Sequence, residues 1–188
     1  MNTTETPKIH LFLTRGIAAV AWAAVFAATS GSLTVGAGVL LVLYPLIDVV
    51  GSVIDARTQS GSARKVLLAD AAVSTVAAVA LGIAATGSVA NVLAVFGVWA
   101  ATSGTAQLVT ALRRRAQLGN QWPMLLAGGF SIVAGIAYII LSRGADPKLM
   151  PLVLYTATGG VDFVIQAWLL ARRRHRLATA SDPVLSAS

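Results

Sequence analysis

The chain has 188 residues, 56% of them hydrophobic and 11% charged, and a formal net charge of +7. With a mean hydropathy of +0.78 it has too little polar surface for a water-soluble domain of this size. The same shortage argues against nucleic acid as the partner of the positive charge. The absence of cysteine excludes disulfides, thiolate chemistry and cysteine-based metal sites.

Six apolar runs of about 20 residues, the length a helix needs to cross a bilayer, predict spans over 14–31, 34–56, 66–86, 90–112, 122–142 and 148–171. The links Thr29–Thr34 and Thr86–Ala90 are short and uncharged, Arg57–Lys65 and Arg113–Gln121 are longer and basic, and Arg143–Lys148 is short. If the spans alternate in direction, twelve of the Lys and Arg residues fall on one side and two, Arg143 and Lys148, on the other. That asymmetry predicts cytoplasmic N and C termini. The expected organisation is a cytoplasmic segment 1–13, a transmembrane domain 14–172, and a basic, disordered cytoplasmic tail 173–188. The first run, after Lys8 and Arg15, also fits a secretory signal ending near Val25-Phe26-Ala27. An internal repeat makes it part of the fold instead.

The repeat is carried by YPLIDV from Tyr44, WAATSG from Trp99 and YTATGG from Tyr155, with the aromatic recurring after 55 and then 56 residues. Each copy runs on into arginine, at Arg57, Arg113 and Arg172, while Gly16 and Gly128 lie two periods apart. An all-α fold of three parallel two-helix hairpins follows. It differs from the inverted repeats many transporters use for alternating access. Ala19, Ala23 and Ala27 recur every four residues, and the pairs Gly97/Gly104 and Gly128/Gly135 recur after seven. Such small residues let helix backbones approach closely.

These residues resemble the HdeD-like family of small bacterial membrane proteins, named for an acid-resistance membrane protein. The best match is GVWAATSGTAQLVTALRRRAQLGNQWPMLLAGGFSIVAGIA, residues 97–137, through Trp99, Gly104, Arg113, Trp122, Gly128 and Gly135, with a looser likeness over 14–172. Val49 stands where the family pattern commonly has glycine, and the third span offers Asp70 and Ala71–Ala78 in place of paired glycines. The resemblance implies a six-helix inner-membrane protein associated with acid or general stress, and no catalytic residues.

Of the seven acidic residues, Asp48, Asp70 and Asp162 fall inside predicted spans. A carboxylate in a bilayer costs about 2.5–3.5 kcal/mol on insertion scales, so each should face other helices and find a partner. Asp48 and Asp162 precede Arg57 and Arg172 by nine and ten residues, which places both roughly 13–15 Å from those arginines. The repeat puts Ser103 at a similar depth, and Pro45 frees a backbone carbonyl one turn before Asp48; together with Gln107 and Gln166 these residues form a candidate polar girdle. One reading is a proton- or cation-responsive site, since two carboxyls meeting in low dielectric can hold a proton between them. The other is that each is protonated or hydrogen-bonded and only fixes helix register. Arg15 and Asp70, equivalent in the repeat, are a candidate structural ion pair. Arg15 reaching to headgroups is the alternative.

Trp122 and Trp168 are placed as boundary anchors, and Trp22, Trp99, Tyr44 and Tyr155 as packing residues. Arg113, Arg114, Arg115, Arg172, Arg173 and Arg174 are the expected lipid-headgroup contacts. His10 and His175 lie at opposite ends of the chain, so neither a metal site nor a Ser–His–Asp arrangement is expected, and no cofactor. No phosphate- or dinucleotide-binding glycine motif stands in a strand–helix context. The expected function is non-enzymatic: a scaffold, an oligomer or an accessory subunit. The expected partners are membrane lipids and either a second copy or a larger membrane complex. A small channel or transporter for protons or a small solute, using Asp48 and Asp162, is the alternative.

Overall fold

The computed structural model describes the backbone of residues 5–57, 59–118 and 122–181. It describes side chains from Gly16 onward, except at 114, 116–118, 162–163, 166–167, 169–170 and 173–181. Six α-helices account for nearly all of it: α1 Glu5–Thr29, α2 Val35–Arg57, α3 Gly61–Ala85, α4 Val89–Leu118, α5 Trp122–Leu141 and α6 Met150–Ser181. Four of them, α2, α3, α4 over Val89–Arg113, and α5, are long and apolar enough to cross a membrane. The described apolar parts of α1 and α6, Gly16–Thr29 and Met150–Val161, are shorter.

Local chemistry sets several of the ends. Thr34 Oγ1 accepts the Ala37 amide at 3.2 Å ahead of α2, and Ser88 Oγ accepts the Asn91 amide at 3.2 Å ahead of α4. Each satisfies a donor that the first helical turn leaves unpaired. Gly61 opens α3 at φ +57°, a left-handed conformation that favours glycine. Pro123 and Pro151 stand at the second residue of α5 and α6, where the missing amide proton is not needed.

Several helices outrun the apolar patterns. α1 begins at Glu5, α3 takes in Gly61–Lys65, and α4 and α6 continue through their arginines to Leu118 and Ser181. Hydropathy marks the part of a helix suited to a bilayer core. Arg, Lys, Ala, Leu and Gln favour helix equally well outside it.

The chain divides into two compact units, Met1–Ala24 with Thr156–Ser188, and Val25–Tyr155. In the second, α2 packs on α3, α3 on α4, and α4 on α5. The α4–α5 contact is backbone against backbone. A Cβ on Gly135 would lie 2.5 Å from the Gly97 carbonyl oxygen, and one on Gly104 would lie 2.8 Å from that of Gly128. Seven residues forward on α4 match seven backward on α5, so both glycine pairs meet along one antiparallel seam. Phe96, Val92, Leu93 and Leu152 are fully buried in this unit. Phe96 lies 5.0 Å from Trp99 and 5.4 Å from Tyr155, ring centre to ring centre, and Tyr44 lies 5.6 Å from Trp99.

In the first unit, α1 and α6 meet through Gly16 and Gly160. A Cβ on Gly16 would lie 3.2 Å from the Gly160 carbonyl oxygen, and one on Gly160 would lie 3.0 Å from the Val20 amide nitrogen.

Replacing Gly135 with alanine is expected to lower stability by about 1–3 kcal/mol, the usual range for overpacking a close contact. Gly129→Ala, where nothing lies within 4 Å of the added carbon, is expected to be neutral or stabilising. Unfolding in detergent micelles, compared between the two variants, checks the contrast.

Candidate functional site

The second unit turns its polar side chains towards one another. On α2, Asp48 and Ser52 stand one helical turn apart. On α3, Asp70 and Ser74 repeat the same spacing. Residues four apart share a helix face, so each helix presents one acid and one serine to its neighbour. The helices run antiparallel and the pattern interlocks. Ser74 Oγ donates to Asp48 Oδ2 at 2.7 Å, and Ser52 Oγ donates to Asp70 Oδ2 at 2.9 Å.

α4 completes the network. Trp99 Nε1 donates to Ser74 Oγ at 2.8 Å, and the Ser103 hydroxyl reaches Asp48 Oδ2 at 3.5 Å. Ser74 has one proton. Its oxygen receives the indole N–H, and its own O–H points at Asp48. Every serine hydroxyl in the set is thereby aimed at a carboxyl. Ser74, Asp70 and Ser52 are buried, and Asp48 and Ser103 are half-buried. The two carboxyls also interact directly, side chain to side chain. Asp70 Oδ1 is fully buried and has no hydrogen-bond partner.

A second set of hydroxyls lies across the aromatic cluster. Ser131 Oγ donates to the Ala100 carbonyl at 3.1 Å and is hydrogen-bonded to the Tyr155 hydroxyl. With the serine proton committed to Ala100, Tyr155 is the donor in that pair. Tyr138 donates to the Pro151 carbonyl at 3.0 Å. These bonds tie α5 to α4 and to the start of α6.

Of the residues singled out from the sequence, the structure brings Asp48 and Ser103 together. Gln107 is half-buried one turn further along α4. Asp162 and Gln166 lie on α6, and their side chains fall outside the described residues, as does that of Arg15. Asp70, read as the partner of Arg15, is engaged with Ser52 and Asp48. Arg113, Arg115 and Arg172 are exposed, and Arg114, Arg173 and Arg174 lie outside the described side chains. The Arg115 guanidinium stands 5.7 Å from the Trp122 ring centre, and that of Arg172 stands 3.7 Å from Trp168, both within cation–π range. Among the described residues no three His, Cys, Asp or Glu side chains cluster as metal ligands.

Sequence reasoning missed Ser52, Ser74 and the Asp48–Asp70 contact. The signal was there: Asp-x-x-x-Ser occurs at 48–52 and again at 70–74, on consecutive helices joined by a short link. Two such motifs read in opposite directions pair acid with serine twice.

Residues 71–140 match a family described as a short repeat of unknown function (DUF308). The matched stretch holds most of α3, all of the α4–α5 glycine seam, and Ser74, Trp99 and Ser103 of the network. Asp48, Ser52 and Asp70 lie before it. No curated protein and no solved structure matches the chain.

Ser74→Ala removes a donor from Asp48 and an acceptor from Trp99, and is expected to lower stability by about 1–3 kcal/mol. Ser103→Ala, at the long 3.5 Å contact, is expected to lose less than about 1 kcal/mol. Chemical unfolding in lipid bicelles distinguishes the two, and equal losses would contradict the ranking.

Proposed function

We propose that the chain is a non-enzymatic, multi-pass protein of the bacterial plasma membrane, acting as a scaffold, an oligomer or an accessory subunit in the response to acid or general stress. The observation that carries this reading is the inside-out arrangement of the helices. Only 28–39% of the residues in the apolar windows of α2 to α5 are buried, and Val76, Ile83, Leu126 and Val133 point outward. The polar groups of α2 and α3, meanwhile, are engaged with one another. In water that pattern would leave a large apolar surface wet, whereas in lipid it is the expected one.

The spans form three parallel hairpins with both termini cytoplasmic, and a single six-helix transmembrane domain over 14–172. The seams support the repeat. Gly16 and Gly128 are 112 residues apart, Gly104 and Gly160 are 56 apart, and the close approaches are Gly104 with Gly128 and Gly160 with Gly16. One contact thus recurs at positions related by the period. The matching positions on α2 and α3 are Val49 and Ala72, and there the Asp–Ser exchange holds the helices. The stress association rests on the likeness to HdeD-like proteins, for which the matched repeat is typical. Lipids are the first partner, with headgroups met by the exposed Arg113, Arg115 and Arg172 and their neighbours. A second copy or a larger complex would be the protein partner.

A channel or transporter is the second reading, favoured by the Asp48–Asp70 contact, because intramembrane acids are functional by default.

The chain has no cysteine, so single-cysteine variants Ser60→Cys and Gly144→Cys, expressed in a deletion strain of the host, test location and role together. Gly144→Cys is expected to react with an impermeant maleimide in intact spheroplasts, and Ser60→Cys only after lysis. Both are expected to restore survival of acid challenge. Reversed labelling contradicts the orientation, and a deletion strain that survives as well as wild type contradicts the stress role.

A further inference from the structure

We propose that Asp48 and Asp70 form a binding site for one exchangeable proton, held between the two carboxyls across the α2–α3 interface. The inference rests on the membrane reading above, which removes bulk water as an alternative partner.

The hydrogen bonds leave one acceptor over. Asp48 Oδ2 receives Ser74 and Ser103, and Asp70 Oδ2 receives Ser52. Trp99 is committed to Ser74. None of these bonds reaches Asp70 Oδ1, which is buried and without a hydrogen-bond partner in a residue only 8% exposed, and the Ser103 hydroxyl, which interacts with both carboxyls, has one proton for the two. A buried acceptor without a donor is unfavourable, and a charged one more so.

The charges lead to the same place. Among the described residues, the titratable groups that interact with the pair are Tyr44 on α2 and Tyr155 at the start of α6, with Tyr138 on α5 interacting with both tyrosines. α4 contributes Trp99 and Ser103, which do not titrate. Arg57, Arg64 and Lys65 sit at the exposed ends of α2 and α3. No Lys, Arg or His among the described residues meets either carboxyl. Two ionised carboxylates would then repel with no cation among the described residues to offset them.

One proton answers both needs. Taken from water, it forms an O–H bond on one carboxyl, which donates to the facing carboxylate oxygen. The pair falls from two negative charges to one and gains the donor that was missing. A proton requires only two oxygens. A metal cation requires several free lone pairs, and the hydroxyl protons here already point at the carboxyls.

The test is infrared spectroscopy of the full chain in lipid vesicles. At pH 7 the wild type is expected to show a protonated-carboxyl C=O band that shifts in heavy water. Asp48→Asn and Asp70→Asn are each expected to abolish it, because the amide supplies the donor and the remaining acid ionises. Asp162→Asn is expected to leave it intact. The wild-type spectrum alone can overturn the proposal: no band means that both carboxyls are ionised and a cation compensates them. A band that persists in both Asn variants, or disappears in Asp162→Asn, also overturns it. Flotation of native membranes separates the two readings. A chain that does not float contradicts the membrane location, whereas a floating chain without the band contradicts the proton site alone.

Discussion

Each acid of the α2–α3 pair is answered by a serine on the opposite helix, and that exchange governs how the two helices lie on one another. Asp48 takes its hydrogen bond from Ser74, and Asp70 takes its own from Ser52. Sliding either helix by one residue would carry both serines off the facing side and leave both acids unanswered. A buried carboxyl without a donor is among the most destabilising groups a fold can hold. The interlock therefore specifies register strongly, although each hydrogen bond contributes only modestly. Trp99 extends the constraint to α4, since the indole that satisfies Ser74 also belongs to the aromatic cluster around Phe96.

The other helix contacts meet the same need by different means. For helices surrounded by hydrocarbon, as proposed for this chain, burying apolar side chains against each other gains little, because lipid is equally apolar. Close backbone approach and interhelical hydrogen bonds are what remain. α4 and α5 use the first, through Gly97 with Gly135 and Gly104 with Gly128, and α1 and α6 use it through Gly16 and Gly160. α2 and α3 use the second. Glycine seams hold by shape and would accept some sliding. The acid–serine seam holds by chemistry and carries a charge problem that the glycine seams do not.

Much of this was legible in the sequence. The six apolar runs mark the six helices, and the seven-residue glycine spacing marks the α4–α5 seam, because small residues on one face have few other uses at that density. Helix ends were less legible, since hydropathy stops at Arg113 while the backbone continues through arginine, alanine and leucine to Leu118. The network was legible only in part. Asp48 and Ser103 stood out because the 55-residue period places them at one depth, and they do meet. The same period suggested Arg15 as the partner of Asp70. The Arg15 side chain lies outside the described residues, and within its own unit Asp70 is engaged with Ser52 on α2. Asp70 faces α2 because α3 follows it through a short link, and consecutive helices so joined pack antiparallel. The Asp-x-x-x-Ser motif at 48–52 and 70–74 held that information, which a reading of acids alone passes over.

The claim on which the rest depends is that Asp48 and Asp70 act as one unit. A double-mutant cycle measures this directly, with Asp48→Asn, Asp70→Asn and the double variant unfolded under identical conditions in lipid bicelles. Side chains in one hydrogen-bonded network typically show coupling of about 0.5–3 kcal/mol, and a value in that range is expected here. Effects that add within about 0.3–0.5 kcal/mol, as for sites without shared partners, would contradict the account.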